Sequence, residues 1–215
     1  MNLPGRIYHL AEASNWPVIQ REGLLCTSDL LLLAGLSERE RDRLDRQQRS
    51  TQAVLPNGVR IRDQRPMPPA ALAGCLVRLS PQQWYAMLNA RVFFWFEPQR
   101  LNRQRAACAA RPQVVMTIDA TALVAAYQDR VSLTPINTGN ARRRPAIRGA
   151  ATFVPYADWL QSGWASEASG LGTRERRPSH PPVELTVSGS VPDMMRFLLA
   201  TDRLDPGQPF AAAPG

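Results

Sequence analysis

Pro182-Val183-Glu184-Leu185-Thr186-Val187 alternates with the period of a β-strand. Val183, Leu185 and Val187 fall on one face, Glu184 and Thr186 on the other. Glutamate is depleted in strands, so a lone carboxylate among β-branched neighbours adds little to stability. On an antiparallel strand with one wet face it would simply meet solvent. Whether Glu184 does more depends on the strands it joins.

Working outward, the chain offers further short strands. Arg6-Ile7-Tyr8-His9-Leu10 reads as the first, Arg91-Val92-Phe93-Phe94-Trp95-Phe96 as the most hydrophobic, and Val114 to Ile118 as another buried one. Ala53-Val54-Leu55 and Val59-Arg60-Ile61 flank Pro56-Asn57-Gly58, and Asn-Gly is a hairpin signal. Val131 to Leu133 and Ala151 to Val154 are shorter candidates. Short helices lie between them. Ser37 opens one over Glu38 to Gln48, polar nearly all round and therefore a surface helix. Ser80 with Pro81 opens one over Gln82 to Asn89, and Asp119 caps Ala122 to Gln128. Others are expected over Asn15 to Glu22, Asp29 to Ala34, Ala70 to Leu79, Pro98 to Ala110 and Pro192 to Leu199. Pro135 to Pro145 reads as a polar loop and Glu167 to Pro181 as a mobile one. With no βαβ run of regular length, the fold class is α+β with a mixed or antiparallel sheet. Residues 1–205 form one domain, and 206–215 read as a disordered tail.

A chain of 215 residues can bury a full core without metal or disulfide. All 26 basic residues are Arg, against 18 acidic ones, for a net charge of +8. Arg-only usage beside many Ala, Pro and Gly fits a GC-rich coding bias. The excess charge still suits an acidic partner, nucleotide or nucleic acid. Much of it lies in clusters at Arg39 to Arg49, Arg142 to Arg144 with Arg148, and Arg174 to Arg177. Cys26, Cys75 and Cys108 have no metal-ligand spacing, and His9 and His180 cannot complete a site with them, so no metal is expected. No apolar run is long enough to cross a bilayer, and a cytoplasmic location follows as the expectation. Nucleophile elbow, Walker loop and dinucleotide-binding glycine fingerprint are missing.

Three blocks then stand out. Tyr8-His9-Leu10, with Asn15-Trp16-Pro17-Val18-Ile19 and Gly23-Leu24 behind it, resembles the opening of DarT-type DNA ADP-ribosyltransferases. Arg91 to Trp95 with Phe96-Glu97-Pro98 resembles their aromatic strand. Val183 to Val187, then Val191-Pro192, resembles the strand that carries their catalytic Glu. As a whole the chain resembles a bacterial family of unknown function (DUF7002-like) with the same blocks. The resemblance implies an ADP-ribosyltransferase-like fold with a split sheet, NAD as substrate, and mono-ADP-ribosyl transfer or NAD hydrolysis. DNA or RNA is the implied acceptor, with a protein acceptor or an antitoxin as further partners. It assigns catalysis to Glu184 and His9, and cofactor contacts to His9, to an aromatic ring among Tyr85, Phe94 and Trp95, and to an Arg. Arg49 is the first choice for that Arg, with Arg60 and Arg62 as alternatives. Ala11 stands where that family commonly has Thr. The alternative is a non-catalytic nucleotide- or nucleic-acid-binding module on the same fold.

Overall fold

In the computed structural model, residues 3–108, 111–142 and 144–212 are described. The chain runs β1 (Arg6–Glu12), α1 (Trp16–Glu22), α2 (Thr27–Leu33), α3 (Glu38–Arg46), β2 (Ala53–Val54), β3 (Arg60–Ile61), α4 (Pro69–Ala73) and α5 (Pro81–Asn89). There follow β4 (Arg91–Trp95), α6 (Pro98–Ala107), β5 (Gln113–Asp119), α7 (Ala120–Tyr127), β6 (Val131–Thr134) and β7 (Val154–Pro155). The last elements are α8 (Tyr156–Ser162), α9 (Ala165–Leu171), β8 (Glu184–Ser188) and β9 (Leu198–Leu204).

Seven strands form one sheet in the order β7-β6-β8-β4-β1-β5-β9, and β2 and β3 form a separate hairpin. The Glu184 strand is interior. Glu184 lies opposite Trp95 of β4 on one side and Thr134 of β6 on the other. All paired strands of the large sheet run antiparallel. The weakest junction is at its middle. β1 pairs with β5 along its whole length, from Arg6↔Asp119 to Glu12↔Gln113. It meets β4 at Tyr8↔Trp95 alone.

Alternation sorts the core by sheet face. Ile7, Phe94, Met116 and Leu185 are completely buried on one face with Leu123 of α7 and Trp159 of α8. Tyr8, Trp95 and Val115 face the other way and pack with Leu101 of α6 and Phe210. Helix starts follow local chemistry. Ser37 and Ser80 form capping boxes with Glu40 and Gln83, and Asp119 Oδ1 accepts from the Ala122 N–H at 3.0 Å. Gly23, which ends α1, has φ +77°, and a Cβ there would sit 2.3 Å from the Pro192 carbonyl oxygen. Only glycine lets this turn close on the segment after β8, where Leu24 bridges to Val191.

Several expectations change. The helix expected over Ala70 to Leu79 stops at Ala73. Part of the loop expected at Glu167 to Pro181 is α9, where Glu167 is buried and accepts both Nε and Nη2 of Arg176. The segment Pro192 to Leu199 is a 3-10 turn at Met194–Phe197 leading into β9. The end of the basic helix at Ala110 and the tail residues 213–215 lie outside the described residues. Residues 206–209 and 211 are exposed, but one residue of this segment is anchored. Phe210 is buried edge-on against Tyr8, and Asn102 bonds both its N–H and its C=O at 2.8 Å. No helix among the described residues is long and apolar enough to cross a membrane.

Candidate functional site

His9 and Glu184 line the same cavity, about 680 Å³ in volume. By register they start on opposite sheet faces. Glu184 shares its face with Trp95, and Trp95 with Tyr8. His9 follows Tyr8 and so points the other way, with its ring 5.7 Å from that of Phe94. The sheet can present both to one space because β1 and β4 separate beyond Tyr8↔Trp95. The imidazole reaches across that gap, and His9 Nδ1 lies 2.8 Å from the Phe93 carbonyl oxygen. A carbonyl only accepts, so Nδ1 carries the proton and Nε2 is left as an acceptor. Desolvation lowers the His9 pKa to about 4. The bond to Phe93 opposes the shift, and the nearby Arg62 charge adds to it. The ring is therefore neutral at pH 7.

Glu184 is 3% exposed. The Thr138 N–H (3.2 Å), Thr138 Oγ1 (2.8 Å) and Thr134 Oγ1 (3.1 Å) all contact its Oε2. Among the described residues Oε1 has no hydrogen-bond partner. Burial raises the Glu184 pKa to about 7, against the Thr138 and Thr134 bonds and the Arg148 charge, which lower it. The result is a carboxylate held at one oxygen by uncharged donors.

The expected Arg49 also lines the cavity, but its guanidinium is occupied. It donates to Leu44 O, Arg62 O and Asn89 Oδ1, tying the end of α3 to β3 and α5. Burial lowers its pKa to about 10, which leaves it charged. Arg60 and Arg62 are half-buried on the same wall, and Arg62 gives one bond to Leu10 O at 3.1 Å. Arg91, Arg100 and Arg103 complete a set of six guanidinium groups against three carboxylates, Glu12, Asp63 and Glu184. Such a wall favours an anion.

The aromatic residues divide unexpectedly. Tyr85 is 1% exposed, does not reach the cavity, and donates its hydroxyl to Met67 O at 2.7 Å. It belongs to a core with Trp84, Leu72 and Phe153. Phe94 bounds the cavity from inside the core and has no exposed surface. Trp95 stands opposite Glu184, with its indole N–H bonded to Gln104 Oε1 at 2.7 Å. Phe93, half-buried and on the same face as Trp95, is the ring with surface to offer a ligand.

Sequence reading missed the 137–140 turn, whose Asn137, Thr138, Gly139 and Asn140 all line the cavity. Its composition signalled only a turn, which the Asn137 Oδ1 to Gly139 N–H bond indeed makes. It also grouped Arg148 with the Arg142 to Arg144 charge cluster, whereas Arg148 is 2% exposed.

The span from β1 to the start of β9 is also the span of a known sequence pattern. The chain belongs to DUF7002, a family of unknown function. The match covers residues 5–198, and so takes in His9, Thr138 and Glu184 and leaves nearly all of β9 outside. Comparison with curated proteins and with solved structures gave no match.

Proposed function

We propose that the protein has an ADP-ribosyltransferase-like fold and cleaves the bond between nicotinamide and ribose in NAD⁺. The ADP-ribosyl group passes to an acceptor or to water. The observation that carries this reading is Glu184. It is a buried carboxylate with one oxygen tied back and the other unpartnered, in a cavity that also holds a neutral His9 and an Arg-rich wall. When the C1′–N bond breaks, its electron pair goes to the pyridinium ring, which leaves as neutral nicotinamide. Positive charge develops on the ribose, and a carboxylate against it lowers the barrier. The acceptor's lone pair forms the new bond to C1′, and its proton goes to Glu184 or solvent. His9 Nε2 accepts from a ribose hydroxyl and fixes the sugar's pose. Arg62 or Arg60, freer than Arg49, pairs with the pyrophosphate. Phe93 stacks on the nicotinamide. The positive wall and the net charge of +8 favour a nucleic-acid acceptor.

The test is nicotinamide release from NAD⁺, followed chromatographically, with single-stranded DNA, RNA or a protein mixture as acceptor. Glu184→Gln should lower the rate about 10²–10³-fold with the fold intact. Absence of release by folded wild type under every condition refutes the proposal. The second reading, a non-catalytic nucleotide- or nucleic-acid-binding module, is favoured by the occupied Arg49 donors. It predicts NAD⁺ binding by calorimetry without turnover, unchanged in Glu184→Gln.

A further inference from the structure

Three polar groups lie close to the Glu184 carboxyl group, and they are not equivalent. Thr134 Oγ1 lies 2.8 Å from Ile136 O and 3.1 Å from Glu184 Oε2. A hydroxyl has one proton, and a carbonyl can only accept. The shorter contact takes the Thr134 proton, so towards Glu184 this hydroxyl offers mainly lone pairs. That suits a protonated Glu184, which donates to Thr134 Oγ1 while Thr134 donates to Ile136 O. The ionised form depends on Thr138, which contributes both its backbone N–H and its hydroxyl.

Thr138 is itself held. Its carbonyl accepts from Arg148 Nη1 at 3.1 Å, and Arg148 Nε donates to Ala146 O. The Arg148 backbone is fixed on both sides. Its N–H donates to Cys75 O, and its C=O accepts from the Val77 N–H, each at 2.8 Å. Its guanidinium lies 5.9 Å from the ring of Trp84. A polar turn thus gains a rigid support from the buried core beneath it. Arg148 supports Glu184 through Thr138 and adds its charge nearby, without a hydrogen bond to the carboxylate oxygens.

We propose that Thr138 is the positioning residue of Glu184, anchoring Oε2 in the ionised state so that Oε1 is presented to the cavity. The consequence for rate rests on the proposed NAD⁺ chemistry; the consequence for the carboxyl group does not. Both are tested with Thr138→Ala, Thr138→Ser and Thr134→Ala. Carbon-13 NMR of the Glu184 carboxyl against pH needs no substrate. Losing the Thr138 hydroxyl should raise the titration midpoint by roughly one unit. Thr138→Ser should restore it, and Thr134→Ala should move it less. In nicotinamide release, Thr138→Ala should lower kcat about 10–100-fold with KM within about threefold, and shift the rising limb of the pH profile upward. Thr138→Ser should recover most of the rate. An unmoved NMR midpoint in Thr138→Ala, or a larger shift in Thr134→Ala, overturns the proposal. If wild type releases no nicotinamide but the NMR shifts follow the expected order, the NAD⁺ reading falls and the positioning role stands.

Discussion

Glu12 and Glu184 are both 3% exposed, both line the same cavity, and share a sheet face by register. Their partners differ. Glu12 is gripped at both oxygens by Arg111, with Nε at 3.0 Å and Nη2 at 3.3 Å. Glu167, away from the cavity, is gripped the same way by Arg176. Among the described residues Glu184 receives no guanidinium and has one oxygen without a hydrogen-bond partner. A carboxylate buried for architecture is neutralised on both oxygens by a planar fork. Glu184 is instead oriented by uncharged groups, with no guanidinium on either oxygen among the described residues. Burial without a paired cation makes desolvation the largest influence on Glu184 and raises its pKa to about 7.

The widest gap between the two should appear in rate. Glu184→Gln is expected to lose about 10²–10³-fold in nicotinamide release. Arg111→Ala should leave most of the rate at low temperature and unfold the protein more easily. Stability should separate them next, with opposite signs. Arg111→Ala strands a buried carboxylate and should cost about 2–3 kcal/mol in urea denaturation at pH 7.

Glu184→Gln should instead stabilise at high pH. The folded state holds the Glu184 proton up to about pH 7, whereas the ordinary value is 4.5. Wild-type stability from this group is therefore highest below pH 4.5 and declines as pH rises through 7. The advantage of the Gln variant should grow across that window to an upper bound of about 3 kcal/mol. Equal stability of the two proteins at pH 5 and pH 8 would contradict the burial argument. His9 works from the other side. Its folded value of about 4 lies below 6.5, so its contribution is present above pH 6.5 and lost as pH falls through 4. Between pH 5 and 8, kcat/KM should accordingly show one rising limb near 7, from Glu184, with none from His9.

The smallest contrast is between two rings. Phe93→Ala should weaken NAD⁺ binding by about 1 kcal/mol, read as a rise in Kd. Tyr85→Phe should leave Kd alone and lose about 1 kcal/mol of stability through the bond to Met67 O.

Sequence made the existence of the strands legible, but not the burial of the Glu184 strand: Glu184 to Val187 are buried on both faces, and Val183, just before the strand, packs with Tyr8 and Trp95 and not with Leu185 and Val187. Caps at Ser37, Ser80 and Asp119 were legible because their partners lie three residues away. His9 and Glu184 could be singled out as odd residues on strands, yet no local pattern tells that β1 and β4 part just where they meet. A run of aromatics conceals which ring keeps surface towards the cavity: Phe94 lines it but is fully buried, whereas Phe93 is half-buried and shares its face with Trp95. Arg49 lies on the cavity wall, but its donors go to Leu44, Arg62 and Asn89, contacts up to 40 residues distant in sequence. Thr138 and Arg148 stayed hidden for the same reason, and a Pro/Ala/Gly-rich ending masked Phe210, which is held by Asn102.

The junction of β1 and β4 has one further consequence. A continuous sheet has a full ladder of backbone bonds, but here a side chain serves as one rung: the His9 imidazole takes the Phe93 carbonyl that a neighbouring amide would otherwise satisfy. The sheet therefore carries a seam that can admit a ligand without leaving that carbonyl unpaired, so His9→Ala should unzip the seam as well as remove an acceptor. Hydrogen exchange would distinguish the two losses. Faster exchange of the β4 amides beside the seam, with the β1–β5 ladder still protected, would mark His9 as a structural fastener in its own right.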